Sequence, residues 1–251
     1  MPTRTSYSHG EPSWVDLASP DLDASRAFYG GLFGWEAPAG DPAFGGYATF
    51  SLGGESVGGL SPKMSEDQPT VWNTYISVDD ADKTMALVRD NGGQVVVEPM
   101  DVGDLGRMAF LTDPEGAYLG IWQPKQMPGA DLQNEEGTIG WTELASRNLT
   151  GVLPFYVTVF GWDPMVEGGY THFNVGSDSV AGAMDMPEGI PDEVPSYWMP
   201  YFMTADPAAK AQQAASLGAT VLVPFMDVGG VAFSVVRDPH GATFGLYRMT
   251  A

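Results

Sequence analysis

Two acidic residues stand at matching places in the phrases WVDLAS and WTELAS: Asp16 follows Trp14 by two residues, and Glu143 follows Trp141 by two. Side chains two apart on a β-strand share a face, so each carboxyl group is expected beside an indole on one side of a sheet. Desolvation there disfavours the ionised form, raises the carboxyl pKa and suits the group to act as a general base. His172, between Tyr170 and Asn174, is the histidine expected on the same kind of face and available for proton transfer. His9, near the start, and His240, in a DP-x-G turn, are expected at the surface. The chain has no cysteine, which excludes thiol nucleophiles, thiolate metal ligands and disulfides. Asp16, Glu143 and His172 are therefore the candidate catalytic residues. Each also has a plainer reading: a carboxylate satisfied by backbone donors or by Arg107, and a histidine held in a structural hydrogen bond.

These positions recur because the chain recurs. WVDLASPDLDASRAFYGGLFGW, from Trp14, matches WTELASRNLTGVLPFYVTVFGW, from Trp141, without a gap. YATFSLG from Tyr47 matches YTHFNVG from Tyr170, VWNTYISVDD from Val71 matches YWMPYFMTAD from Tyr197, and MDVG recurs at Met100 and Met226. DPEGAYLGIW from Asp113 closes the first copy as DPHGATFGLY from Asp238 closes the second. The polar, Pro- and Gly-containing stretch 125–138 reads as a linker. The chain thus divides into an N-terminal arm (1–11), a first domain (12–124), the linker and a second domain (139–249).

Within the first copy, Trp14 to Ala18 reads as a strand, and Ser19-Pro20-Asp21 opens a helix that Gly34 stops. Strands are expected near 35–39, 47–52 and 56–61. A second unit follows: a strand over 72–78, a helix from Asp79-Asp80 to Asn91, and strands near 94–99, 107–111 and 117–122. Each copy is then βαβββ–βαβββ. Alternation places Val15 and Leu17 under the helices and the opposite parity on the concave face. The residues expected to line the two concave faces and bind a ligand are Trp14, Tyr47, Asn73, Tyr75, Arg107 and Trp122 in the first copy. In the second they are Trp141, Tyr170, Met199, Tyr201 and Tyr247. Aromatic rings on a concave wall suit a flat or conjugated ligand. Thr49 against His172, Asn73 against Met199 and Arg107 against Ala232 make the two faces chemically unequal.

The doubled βαβββ unit, ASRAFYGGLFGW, ISVDDADKTMALVRDNGGQV and DPEGAYLGIWQP together resemble the glyoxalase/bleomycin-resistance/dioxygenase superfamily, the vicinal-oxygen-chelate fold. The chain looks most like bidomain glyoxalase-like proteins of actinobacteria. The resemblance implies an α+β fold of two tandem glyoxalase-like domains, each a pair of βαβββ modules forming a cup-shaped mixed sheet with helices on its outer face. Metal-dependent relatives place histidine or glutamine on the first strand, histidine at the start of the fifth and glutamate on the eighth. The matching positions here hold Trp14, Asn73 and Gly120, and in the second copy Trp141, Met199 and Gly245. Indole, thioether and a missing side chain are not donors for a divalent ion. No metal is expected at the ancestral sites, and no cofactor.

The formal net charge of −21 repels phosphate backbones and anionic lipid, so neither nucleic acid nor membrane is an expected partner. A small-molecule ligand is. No apolar run suits a membrane span or a leader, and a cytoplasmic monomer or homodimer is expected. The leading expectation is a metal-independent protein acting on a small aromatic or carbonyl-bearing metabolite. It would be an accessory tailoring enzyme of secondary metabolism, of lyase, isomerase or oxygenase-like chemistry. The alternatives are a binding protein that sequesters a drug unchanged, as the resemblance to bleomycin-resistance proteins allows, and a methylglyoxal-handling enzyme. The last ranks third because the usual chemistry polarises an enediolate on a metal.

Overall fold

The computed structural model describes residues 3–249. The first half runs β1 (Pro12–Ser19), α1 (Leu22–Phe33), β2 (Ala48–Leu52), β3 (Glu55–Pro62), β4 (Val71–Ser77), α2 (Ala81–Asp90), β5 (Gln94–Val102), β6 (Gly106–Thr112) and β7 (Tyr118–Pro124). The second runs β8 (Ile139–Ser146), α3 (Leu149–Phe160), β9 (Asp163–Glu167), β10 (Tyr170–Val175), β11 (Asp178–Asp185), β12 (Tyr197–Met203), α4 (Pro207–Ser216), β13 (Thr220–Val228), β14 (Val231–Arg237) and β15 (Thr243–Met249). Each half makes its own mixed sheet. Their orders are β2-β3-β1-β4-β7-β6-β5 and β13-β14-β15-β12-β8-β11-β10-β9. The fold is α+β, with two similar halves in tandem, each a mixed sheet carrying two helices. Among the described residues no helix is long and apolar enough to cross a membrane.

Local chemistry sets the element ends. The Asp21 carboxylate accepts from the Ala24 amide to cap α1, Gly34 ends that helix at φ 74°, and Asp80 and Asp206 cap α2 and α4 in the same way. The strand expected near 35–39 does not form: only Glu36 pairs, with Ser51. Glu36 and Ser51 exchange both backbone hydrogen bonds, so the next residue to donate on that side is two along, and it is Pro38, which has no N–H. The second half has Met165 there, and β9 continues against β10. The two sheets accordingly have seven and eight strands.

The helix sides of the two sheets face each other and share two cores. One joins Val15, Leu17, Tyr29 and Phe33 to Phe202, Phe244 and Leu246; the other joins Ile76, Leu119 and Ile121 to Val152, Tyr156 and Phe173. Each core therefore combines the first βαβββ unit of one half with the second unit of the other. The repeated sequence phrases meet there. Trp72 Nε1 donates to the Tyr29 hydroxyl (2.9 Å), which donates to Asp238 Oδ2 (2.9 Å). Trp198 Nε1 donates to Tyr156 (2.9 Å), which donates to Asp113 Oδ2 (2.6 Å). The other oxygen of each aspartate accepts two amides of its own DP-x-G turn. Trp35 and Trp162, from the two FGW phrases, donate to the carbonyls of Gly137 and Gly10 in the opposite half's approach to its first strand (2.8 and 2.7 Å).

The stretch read as a polar linker is more than a tether. Ala130 is fully buried and Leu132 nearly so, the first in the ring cluster of the first sheet's concave face and the second in a shared core.

Tyr29→Phe and Tyr156→Phe should each strand a buried indole N–H and a carboxylate oxygen. Each change should lower unfolding free energy by about 1–3 kcal/mol in urea titrations. A loss under about 0.5 kcal/mol for both would show that the bonds do not lock the halves.

Candidate functional site

β1 lies in the middle of the first sheet, and its register brings Asp16 opposite Gly59 of β3 and Asn73 of β4. Asp16 is 4% exposed and is held by neutral donors. Asn73 Nδ2 donates to Oδ1 at 2.8 Å and the Tyr75 hydroxyl to Oδ2 at 2.7 Å. The Tyr47 hydroxyl accepts from Trp14 Nε1 (2.7 Å) and lies 3.5 Å from Oδ2. Two glycines make the space. A Cβ on Gly59 would strike the Tyr47 hydroxyl, and one on Gly120 would enter the Tyr75 ring.

The second half repeats the arrangement around Glu143. Tyr170 donates to Oε2 (2.7 Å) and Tyr201 to Oε1 (2.8 Å), while Trp141 Nε1 donates to Tyr170 (2.9 Å). Gly182 and Gly245 leave room for the rings of Tyr170 and Tyr201. Met199 replaces Asn73, so Glu143 keeps two donors where Asp16 has an amide as well. Trp141, Glu143 and Tyr170 are half-buried, whereas Trp14 and Asp16 are buried.

Burial pushes both carboxyl pKa values up, against the opposing pull of Asn73, Tyr75 and Tyr47 on Asp16 and of Tyr170 and Tyr201 on Glu143. Burial, followed by the neighbouring carboxylate charge, raises the tyrosine hydroxyls well above their ordinary value, so they remain donors. The arrangement offers a desolvated carboxylate as proton acceptor and hydroxyls as donors to a ligand oxygen.

The structure brings Trp14, Asp16, Tyr47, Asn73 and Tyr75 together in one cup, and Trp141, Glu143, Tyr170 and Tyr201 in the other. Met199 and Tyr247 belong to the second cup's ring cluster. Trp122 lies in the first cup, but its indole donates to the carbonyl of Met127. His172 stands edge-on to Tyr170 and Trp141, with ring centroids at 5.1 and 6.2 Å, and its Nδ1 is 3.1 Å from Ser179 Oγ. Arg107 is a correction. It shares a strand face with Ala109 and Leu111, on the helix side, and reaches Asp82 of α2 (3.0 and 3.1 Å) and Asp101 (3.6 Å). It neither lines the cup nor satisfies Asp16. The opposite parity puts Phe110 into the cup, where it stacks on Tyr118 at 5.1 Å. The apolar pair Ala109 and Leu111 carried that signal.

The ancestral metal positions do not fit an ion. Trp14 offers an indole already bonded to Tyr47, the Asn73 amide is the one oxygen donor of the three positions, and the Tyr75 ring occupies the space of a side chain at Gly120. Among the described residues no three histidine, aspartate or glutamate side chains converge as a metal site would require.

Residues 12–121 match the glyoxalase/bleomycin resistance protein/dioxygenase superfamily model. A putative glyoxylase, CFP32, of Mycobacterium tuberculosis is 39% identical, covering 99% of this chain and 98% of its own. The chain belongs to that superfamily. The anthracycline biosynthesis protein DnrV of Streptomyces peucetius is 35% identical over 98% of this chain and 95% of its own. Among solved structures, the Mn(II)-bound glyoxalase of Novosphingobium aromaticivorans shares the superfamily fold at TM-score 0.68 and 18% identity, covering 96% of this chain and 83% of that one. The 2,3-dioxygenase LapB of Pseudomonas sp. KL28 does so at 0.67 and 13%, covering 96% and 93%.

Because folding raises the Asp16 pKa, the stability this group contributes is fully present below the ordinary carboxyl value and is lost as pH rises through the raised one. Asp16→Asn removes that loss. The Tm of wild type minus that of the variant should therefore shrink as pH rises above the ordinary carboxyl range of about pH 4. A difference that grows as pH rises would contradict a desolvated Asp16.

Proposed function

We propose that this superfamily member binds a small, flat aromatic metabolite bearing carbonyl or hydroxyl groups and acts on it without a metal, as a tailoring enzyme of secondary metabolism. The observation that carries the reading is a desolvated carboxylate, Glu143, held between the Tyr170 and Tyr201 hydroxyls. Rings around that centre offer faces for stacking, and the hydroxyls offer hydrogen bonds to a carbonyl oxygen. The similarity to an anthracycline biosynthesis protein supports a polycyclic aromatic substrate class.

In this reading Glu143 accepts a proton from an acidic C–H or O–H of the ligand. The electron pair moves onto the ligand's carbonyl oxygen, which Tyr201 or Tyr170 stabilises by hydrogen bonding. Return of the proton at another atom completes an isomerisation with no external oxidant. His172, beside Tyr170, is the second proton-transfer group. A second reading is sequestration without reaction, favoured by one feature: both oxygens of Glu143 are already hydrogen-bonded. Recovery of an unchanged ligand from a tight complex selects it.

Glu143→Gln should weaken binding or turnover of a hydroxyanthraquinone such as alizarin at least about tenfold, with Tm within a few degrees of wild type. A stable variant with wild-type affinity and turnover would sink the role of Glu143. Chelator treatment should leave both Tm and alizarin affinity unchanged. One equivalent of zinc, nickel, manganese or iron in the purified protein, with affinity lost on its removal, would overturn metal independence.

A further inference from the structure

The first half closes one end of its cup with the chain's own backbone. After β7, Trp122 Nε1 donates to the Met127 carbonyl (2.8 Å), and the Ala130 amide donates to the Ser13 carbonyl (2.9 Å). The Asp131 amide donates to the Ser56 carbonyl (2.9 Å), while the Ser56 amide and hydroxyl both donate to Asp131 Oδ2 (2.9 and 2.7 Å). Ala130 is fully buried in the cluster of Trp14, Tyr75, Phe110 and Trp122. This strap is seated on three positions: Ser13, Ser56 and Trp122.

The duplication places Gly140, Ser179 and Tyr247 at those three positions of the second half. There they border an open cleft of about 390 Å³, with Trp141 in its wall and Arg4 and Glu11 of the N-terminal arm at its side. Ser179 is exposed, whereas Ser56 is covered by Asp131. Trp141 and Tyr247, which line the cleft, also belong to the ring cluster of the second cup, and Trp141 is bonded through Tyr170 to Glu143. The volume lies within the range of about 300–1,000 Å³ typical of small-molecule sites. The difference in exposure between Asp16 and Glu143 follows the same asymmetry.

We propose that this cleft is the entrance by which a flat, hydroxyl-bearing aromatic ligand reaches the second cup, passing between Trp141 and Tyr247, and that the strap makes the first cup a closed structural copy. The inference rests on the ligand class proposed above and adds which cup is used and by which route. A flat ring system enters edge-first beside the Trp141 indole and presents its oxygens to the hydroxyls that hold Glu143.

The absence of cysteine permits a direct test. Ser179→Cys and Ser56→Cys give single-thiol proteins, each treated after folding with a bulky maleimide and titrated with alizarin. The thiol at position 179 should react at least about tenfold faster than that at 56, and bound alizarin should slow its reaction. Labelling at 179 should lower alizarin affinity at least about tenfold while Tm is kept. Unchanged affinity after complete labelling at 179, or faster labelling at 56, would overturn the entrance while leaving the ligand class intact. If unlabelled wild-type protein fails to bind alizarin, the ligand class falls and this inference falls with it. Should Ser56→Cys not fold, the protection of position 179 by alizarin and the loss of affinity on labelling still decide the matter.

Discussion

Tyr29 and Asp238 are separated by 209 residues and meet at 2.9 Å in the interior, and Tyr156 and Asp113 repeat the bond at 2.6 Å in the opposite sense. Each aspartate folds its own DP-x-G turn with one oxygen and holds a helix of the other half with the second. The helix-side faces of both sheets are consumed in this junction, and their concave faces are left for other use. A carboxylate placed there is stable only when its polar neighbours are fixed. The junction fixes them by clamping β4 and β12, which carry Tyr75 and Tyr201, through Trp72 and Trp198.

Burying a carboxylate without a cation costs free energy unless hydrogen bonds replace water, and here neutral hydroxyl and amide donors do so. The same substitution explains the glycines. A tyrosine can reach the carboxylate from a neighbouring strand only if the position beside it has no side chain, which is the role of Gly59, Gly120, Gly182 and Gly245. At Gly120 and Gly245 a side chain and the tyrosine ring exclude each other, so the glycines and the tyrosine centre go together.

Much of this was legible in the sequence because the repeat exposes it. Strict alternation on β1 separated Val15 and Leu17 from Trp14 and Asp16, and the Asp caps and the glycine stop marked the helices. What failed depended on contacts that alternation does not contain. Arg107, expected on the concave face, follows the strand parity of Ala109 and Leu111, and its partner is Asp82 on α2. The strand near 35–39 was lost to one missing N–H at Pro38. The cap of the first cup was hidden because residues 125–138 look like a solvated spacer. Their seat depends on backbone carbonyls of Ser13 and Ser56, which carry no side-chain signature. The DP-x-G phrase read as a turn, and only the three-dimensional arrangement shows its carboxylate reaching across to the other half.

In the proposal made above, the second carboxylate–tyrosine centre binds the ligand and the first does not. The most direct measurement is a crystal structure of the protein grown with excess alizarin. One molecule per chain is predicted, stacked near Trp141, with an oxygen within hydrogen-bonding distance of the Tyr170 or Tyr201 hydroxyl. Alizarin in the first cup against Asp16, or a metal ion bound by Asn73 and Asp16, would contradict it.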